Sequence, residues 1–200
     1  MKTYITFFLL LLFNCAIAQQ LPVLTTTSFT NNNDDFKHAK NGNYAMDVDN
    51  ERNQYVGTWE YNQNGILFQV KIEKIDQYLN KVEYNGEVIS YNYSDVVTFK
   101  YKLIKNGITL YNNLNTIFAD GANIPIAYKK INSNLYGEFL DYSGNVMARI
   151  EIEKLNTNPE KIIFNNIVNA YYLLSPPDSY TQGQQLFYIP TEPIEMVKIN

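Results

Sequence analysis

The stretch ILFQVKIEK, residues 66–74, decides the fold class, because apolar and polar side chains alternate along it. Even-numbered positions from Ile66 to Ile72 are apolar, and odd-numbered positions from Gln69 to Glu73 are polar. In an extended chain, this period of two places the apolar side chains on one face. We therefore predict a β-strand with one buried and one solvated face.

The same alternation returns at residues 96–104 and 146–155, each time beside a turn signal. Asn106-Gly107 follows the first run, and residues 142–145 precede the second. The Asn-Gly pair favours the left-handed backbone of a two-residue hairpin. We predict an all-β fold, an antiparallel meander that closes into a barrel, with a β-sandwich as the alternative.

Composition limits the partners that this chain can have. The chain has 200 residues, of which 46% are hydrophobic and 18% charged, as expected for one globular domain and not for a disordered tail. Its formal net charge of -4 offers no basic surface to a nucleic acid. We expect no nucleic-acid partner, and no glycine loop that would cradle a phosphate cofactor is present.

The first eighteen residues have the pattern of a signal peptide. Lys2 precedes an apolar run over residues 5–13, and Ala16-Ile17-Ala18 has the small-x-small spacing that a signal peptidase reads. The apolar run is less than half of the roughly 20 residues that a membrane-spanning helix needs. We predict cleavage before Gln19 and export to the periplasm or the medium, without a retained transmembrane helix.

The predicted cleavage also removes the single cysteine, Cys15. Disulfides, thiol nucleophiles and cysteine metal sites are then excluded. The alternative is a lipoprotein anchored through Cys15, with residues 12–15 as the recognition sequence. After the leader we predict a polar N-terminal arm over residues 19–43 and a single β-rich domain over residues 44–200. Only 75–80 and 167–174 could form short helices there, and 167–174 could equally be a strand.

Gly57-Thr58-Trp59 resembles the Gly-x-Trp opening of lipocalin-like barrels. The resemblance implies that the glycine permits close packing and that Trp59 plugs one end of the barrel. In those barrels an arginine of a late strand stacks on the indole, and the only arginines here are Arg52 and Arg149. This chain therefore departs from the lipocalin pattern in its last strand.

A closer resemblance is to an uncharacterised family, a domain of unknown function, of small exported proteins from Bacteroidetes-type bacteria. It covers about residues 44 to 115 and implies an exported β-rich fold, with no established activity or catalytic residues. The matching elements are Tyr44, Asp47, Asn50, Tyr55, Gly57-Thr58-Trp59, and the ranges 68–72, 93–97 and 101–107.

The residues available for catalysis are few. His38 is the only histidine, and it lies in the polar arm without a Gly-x-Ser-x-Gly motif elsewhere to supply a nucleophile. Glu151, Glu153 and Glu73 are predicted on solvated strand faces, where an ordinary sheet surface accounts for them. We expect no enzymatic activity, and a carboxylate-based hydrolase is the least favoured reading.

One segment carries oxygen ligands at alternate positions, Asp47, Asp49 and Glu51, as a calcium loop does. However, Arg52 stands where such a loop needs glycine, and Thr58 stands where its bidentate glutamate belongs. A turn before the first strand of the domain is the preferred interpretation, and no metal is expected.

We therefore predict a noncatalytic exported protein that binds a small apolar or glycan ligand, or a surface partner, through its barrel mouth and tyrosines. The alternative is a structural or interaction module of the cell envelope without an internal ligand. A ligand binder would need a cavity lined by inward side chains, whereas a structural module would fill that space. Four candidate ligand-binding residues follow from the pattern: Trp59, Phe68, Phe99 and Tyr101.

Overall fold

A computed structural model describes residues 21–28, 40–118, 126–131, 134–144, 146–173, 185 and 187–200. The predicted leader, Cys15 and His38 lie outside the described residues. The described part of the chain contains no helix that is long and apolar enough to cross a membrane.

The regular secondary structure of the described residues is almost all strand, which confirms the all-β prediction. Glu51–Gln54 is the one 3-10 turn in that part of the chain. The strands are β1 (Thr25–Ser28), β2 (Asn43–Met46), β3 (Gly57–Gln63), β4 (Ile66–Tyr84), β5 (Glu87–Lys105), β6 (Ile108–Asn112), β7 (Ile126–Ile131), β8 (Asn134–Asp141), β9 (Val146–Leu155), β10 (Lys161–Leu173) and β11 (Ile194–Lys198).

Eight of these strands form a ring of hydrogen bonds. The order is β5-β4-β3-β11-β10-β9-β8-β7, and β7 pairs back to β5 through Val97 and Ala127. Apart from β6, which lies to one side on β5, ring neighbours follow chain order and pair antiparallel, and β11 closes onto β3. The lipocalin-like barrel itself stays a prediction.

The β5–β6 turn lies where the Asn-Gly signal predicted it. Asn106 and Gly107 have φ angles of 50° and 80°, and they connect β5 to β6. A positive φ at both central residues matches the twist of the flanking strands, and Asn and Gly tolerate it best. The turn of β4–β5 uses the equivalent pair Asn85-Gly86.

Two segments differ from expectation. Residues 75–80, where a short helix could form, continue β4 as strand, because they pair with β5 across a bulge near Gln77. Thr25–Ser28, inside the arm that shows no periodicity, forms β1 and pairs in parallel with β2. Pairing with a strand far along the chain supplied order that the local sequence does not encode.

The Gly-Thr-Trp element at the start of β3 contacts the backbone of Asn200. Gly57 has a φ of 134°, and a side chain there would collide with the backbone carbonyl of Asn200. The same carbonyl accepts a hydrogen bond from the N–H of Thr58 at 2.8 Å. Glycine is therefore required at this position by its backbone angle and by the approach of the last residue.

Trp59 is fully buried inside the ring. Its Nε1 donates a hydrogen bond to the backbone oxygen of Tyr55 at 2.7 Å. The ammonium groups of Lys154 and Lys198 lie 5.1 and 5.5 Å from the ring centroid, within cation–π distance. The indole is thus satisfied at its nitrogen and covered by two cations.

Replacing Trp59 by Ala should lower the free energy of unfolding by about 3 to 5 kcal/mol, because it removes the largest buried side chain and leaves a cavity. Urea denaturation followed by circular dichroism measures this loss. Ile117→Ala, at a side chain that is 91% exposed, is the control and should change stability by less than about 0.5 kcal/mol. Equal losses in both variants would contradict a core role for Trp59.

Candidate functional site

A buried arginine lies where the long β4–β5 hairpin leaves the ring. Arg52 is 4% exposed, and its Nε contacts Asp47 at 2.9 Å. Its Nη2 contacts Asp76 at 2.7 Å and Asp95 at 3.2 Å. Its Nη1 donates to the backbone oxygens of Ile75 and Val96 at 3.1 and 3.0 Å.

The spacing of Asp47, Asn50 and Arg52 builds this arrangement locally. The Asp47 carboxylate accepts the backbone N–H groups of Glu51 and Arg52 at 2.8 and 3.1 Å, which starts the 3-10 turn. Asn50 has a φ of 55°, a left-handed conformation that asparagine tolerates better than most residues. The turn then directs the Arg52 side chain back onto Asp47.

Asp95 is the second buried carboxylate of the cluster. It accepts hydrogen bonds from the Tyr44 hydroxyl at 2.7 Å and from the backbone N–H of Asp47 and Gln77 at 2.8 and 3.1 Å. Together with the Arg52 contact, these bonds compensate the cost of burying its charge. We call Arg52, Asp47, Asp76, Asp95 and Tyr44 the clamp.

The surroundings of Arg52 and Tyr44 shift the pKa of both side chains upward. Burial alone would lower the pKa of Arg52, but its hydrogen bonds to Asp76 and Asp47, together with the charges of Asp95 and Asp47, outweigh burial and raise it. Burial, followed by the hydrogen bond to Asp95, raises the pKa of the Tyr44 hydroxyl. The arginine therefore stays protonated and Tyr44 stays a hydrogen-bond donor at neutral pH.

The clamp includes one of the three residues considered for calcium, Asp47. Asp47 is engaged by Arg52, Glu51 lies in the 3-10 turn, and Asp49 is exposed beside them. Among the residues that the structure describes, no group of three or more His, Cys, Asp or Glu side chains could hold a metal ion. In this segment the Asp47 carboxylate forms an internal ion pair with Arg52.

Beyond the clamp, four strands project past the ring. We call them the wing: residues 21–28, 40–48, 75–84 and 87–94, in the strand order β1-β2-β5-β4. The chain before β1 is bound to it, because the hydroxyls of Tyr91 and Tyr93 donate to the backbone oxygens of Pro22 and Leu21, both at 2.7 Å.

Exposed apolar side chains concentrate on the wing. Of twelve large apolar residues that are exposed in the described part of the chain, eight belong to it. A concentration of exposed apolar side chains in one part of a folded protein is a candidate place of interaction. These residues are Val23, Leu24, Met46, Val48, Val82, Tyr84, Val88 and Ile89.

The four predicted ligand-binding residues, Trp59, Phe68, Phe99 and Tyr101, are at most 1% exposed. The Phe68 ring centroid lies 5.9 Å from that of Tyr101, and 6.2 Å from that of Phe139, in edge-on contacts. Phe139 also lies 5.6 Å from Phe99, so it occupies the space between them. The structure brings these inward side chains together as a packed aromatic core.

A cleft of about 540 Å³ opens at the ring end that carries the β3–β4 turn. Buried Asp141 shapes one wall, because its carboxylate accepts the backbone N–H groups of Tyr188 and Ile189 at 2.6 and 3.0 Å. Its lining is mixed: Tyr61, Ile66, Lys105, Gln185, Phe187, Ile189, Pro190, Thr191, Glu192 and Ile194.

Sequence reasoning missed the role of Arg52 and the whole of the wing. A signal existed, because Tyr44, Asp47 and Asn50 and the range 93–97 were elements of the family resemblance, and all contribute to the clamp or its turn. The sequence does not show that Arg52 contacts Asp95, because the two residues lie more than forty positions apart.

Arg52→Met should lower the free energy of unfolding by about 3 to 5 kcal/mol, because it leaves the carboxylates of Asp47 and Asp95 buried without their cation. Chemical denaturation measures the change. Arg149→Met removes an exposed arginine and is the matched control, with an expected change below about 0.5 kcal/mol. A similar small effect at both positions would show that the clamp does not stabilise the fold.

Alkaline pH should destabilise the protein through its buried tyrosines. Burial, first of all, raises the pKa of Tyr44, Tyr55 and Tyr101 above the ordinary value of about 10. Above that value the unfolded chain loses protons that the folded chain keeps, so stability falls as pH rises. Tyrosinate absorbance should therefore show a late group of tyrosines that ionises together with unfolding, and a single transition near the ordinary value would contradict this.

Comparison with known proteins returns no curated protein and no solved structure that matches the chain. The model of a family of unknown function (DUF6705) matches residues 1–137, more than half of the chain. The matched span contains the clamp, the wing and Gly57-Thr58-Trp59, and it ends within β8. The Bacteroidetes origin and the lipocalin relationship stay predictions. On this match, the chain belongs to the family of unknown function DUF6705.

Proposed function

We propose that this protein is a noncatalytic, exported interaction module that binds a partner through the wing rather than a ligand inside the ring. The observation that carries the proposal is the distribution of apolar surface. Inward apolar side chains pack against one another, whereas most exposed ones lie on the wing. A surface of this kind gains free energy when a partner covers it.

The packing of the ring supports a surface partner over an internal ligand. A ligand site inside the ring would need space beside Phe68 and Phe99, and Phe139 and Phe164 occupy it. Phe164 lies 5.4 Å from both Phe68 and Phe139. A ligand could enter only by displacing close-packed aromatic rings, which is costly.

The clamp supports the proposal because it holds the wing in one orientation before any partner arrives. Arg52 contacts β4 through Ile75 and β5 through Val96, and it reaches Asp47 after β2. A surface that is already ordered loses less conformational entropy on binding. This is the property expected of an interaction module.

The pKa shifts of Glu73 and Glu151 argue against a carboxylate-based hydrolase. A general acid needs a raised carboxyl pKa. Burial alone would raise the pKa of Glu73, but Lys100 and Lys71 outweigh it and lower that pKa. Hydrogen bonds from Tyr136 and Asn134 lower the pKa of Glu151.

Ligand binding at the mouth is the competing hypothesis. The cleft beside Tyr61 and Phe187 is large enough for a small molecule, and its lining combines apolar side chains with polar ones and with the charged Lys105 and Glu192. The lipocalin resemblance gains some support from Lys198, a cation of the last strand that lies over Trp59 where those barrels have arginine.

Export by the predicted signal peptide, or anchoring through Cys15, is part of the proposal and would place the wing outside the cytoplasm.

Site-specific photocrosslinking tests the proposal. A benzophenone amino acid is introduced at Tyr84 on the wing and, as a control, at Ile108 on β6, which are 68% and 66% exposed. In the bacterium that makes the protein, irradiation should give adducts of defined mass from position 84 and few from position 108. Similar exposure at the two positions removes accessibility as an explanation.

Two results would count against the proposal. One is the absence of adducts at position 84 above the level at position 108. The other is a purified native protein whose mass includes a bound lipid or sugar, with no adduct at the wing, which would favour the mouth cleft.

A further inference from the structure

Among the described residues, the outer half of β4 has no strand partner on one of its edges. Pairing with β3 ends where Ile72 meets Gly57, and β5 covers only the other side. Within the described residues, no backbone hydrogen bond reaches Tyr78–Tyr84 from the outer side. A row of free N–H and C=O groups on a strand edge is a template for another strand.

The side chains on this edge give it a distinctive pattern. Lys81 and Glu83 lie on one face and form an ion pair at 2.6 Å. Val82 lies between them, and it and Tyr84 are 56% and 68% exposed. Charges on edge strands often prevent pairing with another strand. A lysine and a glutamate close together can instead favour it, because the same two residues of a second copy can place a negative charge opposite the lysine and a positive charge opposite the glutamate.

A two-fold axis makes paired edge strands antiparallel and sets which residues face each other. If Val82 faces Val82 of a second copy, Lys81 faces Glu83 of that copy, and Glu83 faces its Lys81. An axis through Lys81 would instead oppose two ammonium groups, and an axis through Glu83 would oppose two carboxylates. Only the register centred on Val82 is complementary at both charges.

We propose that the free edge of β4 pairs with the same edge of a second copy of this chain, in the antiparallel register centred on Val82. This inference rests on the proposed function, because it names a partner for the wing. The two β4–β5 hairpins then form one continuous sheet across the axis, and the apolar side chains of Val82 and Tyr84 gain neighbours from the second copy. The edge is short, so association is expected to be weak and dependent on concentration.

A charge exchange tests the register. Sedimentation velocity over a concentration series should show a monomer–dimer equilibrium for the unchanged chain. Lys81→Glu should weaken it about tenfold or more, because it sets two pairs of like charges opposite each other, and Glu83→Lys should do the same. The double variant K81E/E83K should restore dimerisation, because the exchanged charges face each other again.

The control removes an exposed ion pair elsewhere. Lys161→Glu disrupts the Lys161–Glu195 pair on the ring, which is also 2.6 Å long, and it should leave the dimer unchanged. Circular dichroism of each variant checks that the fold is retained. Loss of dimerisation without loss of the β spectrum assigns the effect to the edge.

Three results would overturn the inference: a chain that is monomeric at every concentration, single variants that dimerise as the unchanged chain does, or a double variant that does not recover. These differ from failure of the proposed function. Photocrosslinks from position 84 to a protein of another mass, with no dimer in sedimentation, would retain the wing as a binding surface and reject a second copy as its partner.

Discussion

The buried guanidinium of Arg52 is the interaction on which the rest of the molecule depends. One cation meets Asp47 and Asp95 and also binds the backbone of β4 and β5, so the segment after β2 and these two strands share a single set of directional contacts. An apolar contact would tolerate sliding, whereas a misplaced arginine would leave three charges buried without partners. The position of the wing against the ring follows from that cost.

Stability and recognition then fall to different parts of the chain. The ring closes around Trp59 and a group of contacting aromatic rings, and this packing holds the domain together where no disulfide is expected. Within the part of the chain that the structure describes, the wing has a free β4 edge and most of the exposed apolar side chains. The family match covers the clamp and the wing but ends before β9, so it spans the part of the molecule to which we assign binding.

The sequence patterns predicted the face to which a side chain points better than they predicted which other side chains it contacts. Alternation correctly assigned Phe68 and Phe99 to the inner face, but it did not reveal that Phe139 fills the space between them. Likewise, Asp47 and Glu51 suggested an oxygen-rich loop, and Arg52 stood out only as a departure from it. Its purpose became visible when folding brought Asp76 and Asp95 to its side.

The sequence by itself determined the all-β class, the Asn-Gly turns and the inward direction of Trp59, because these depend on residues a few positions apart: a period of two, and backbone angles that few side chains accept. The tertiary structure alone decided which strands are neighbours, which carboxylates neutralise Arg52, and where β4 has no partner strand among the described residues. Those features depend on the pairing register between distant segments, and the sequence next to a residue does not specify that register.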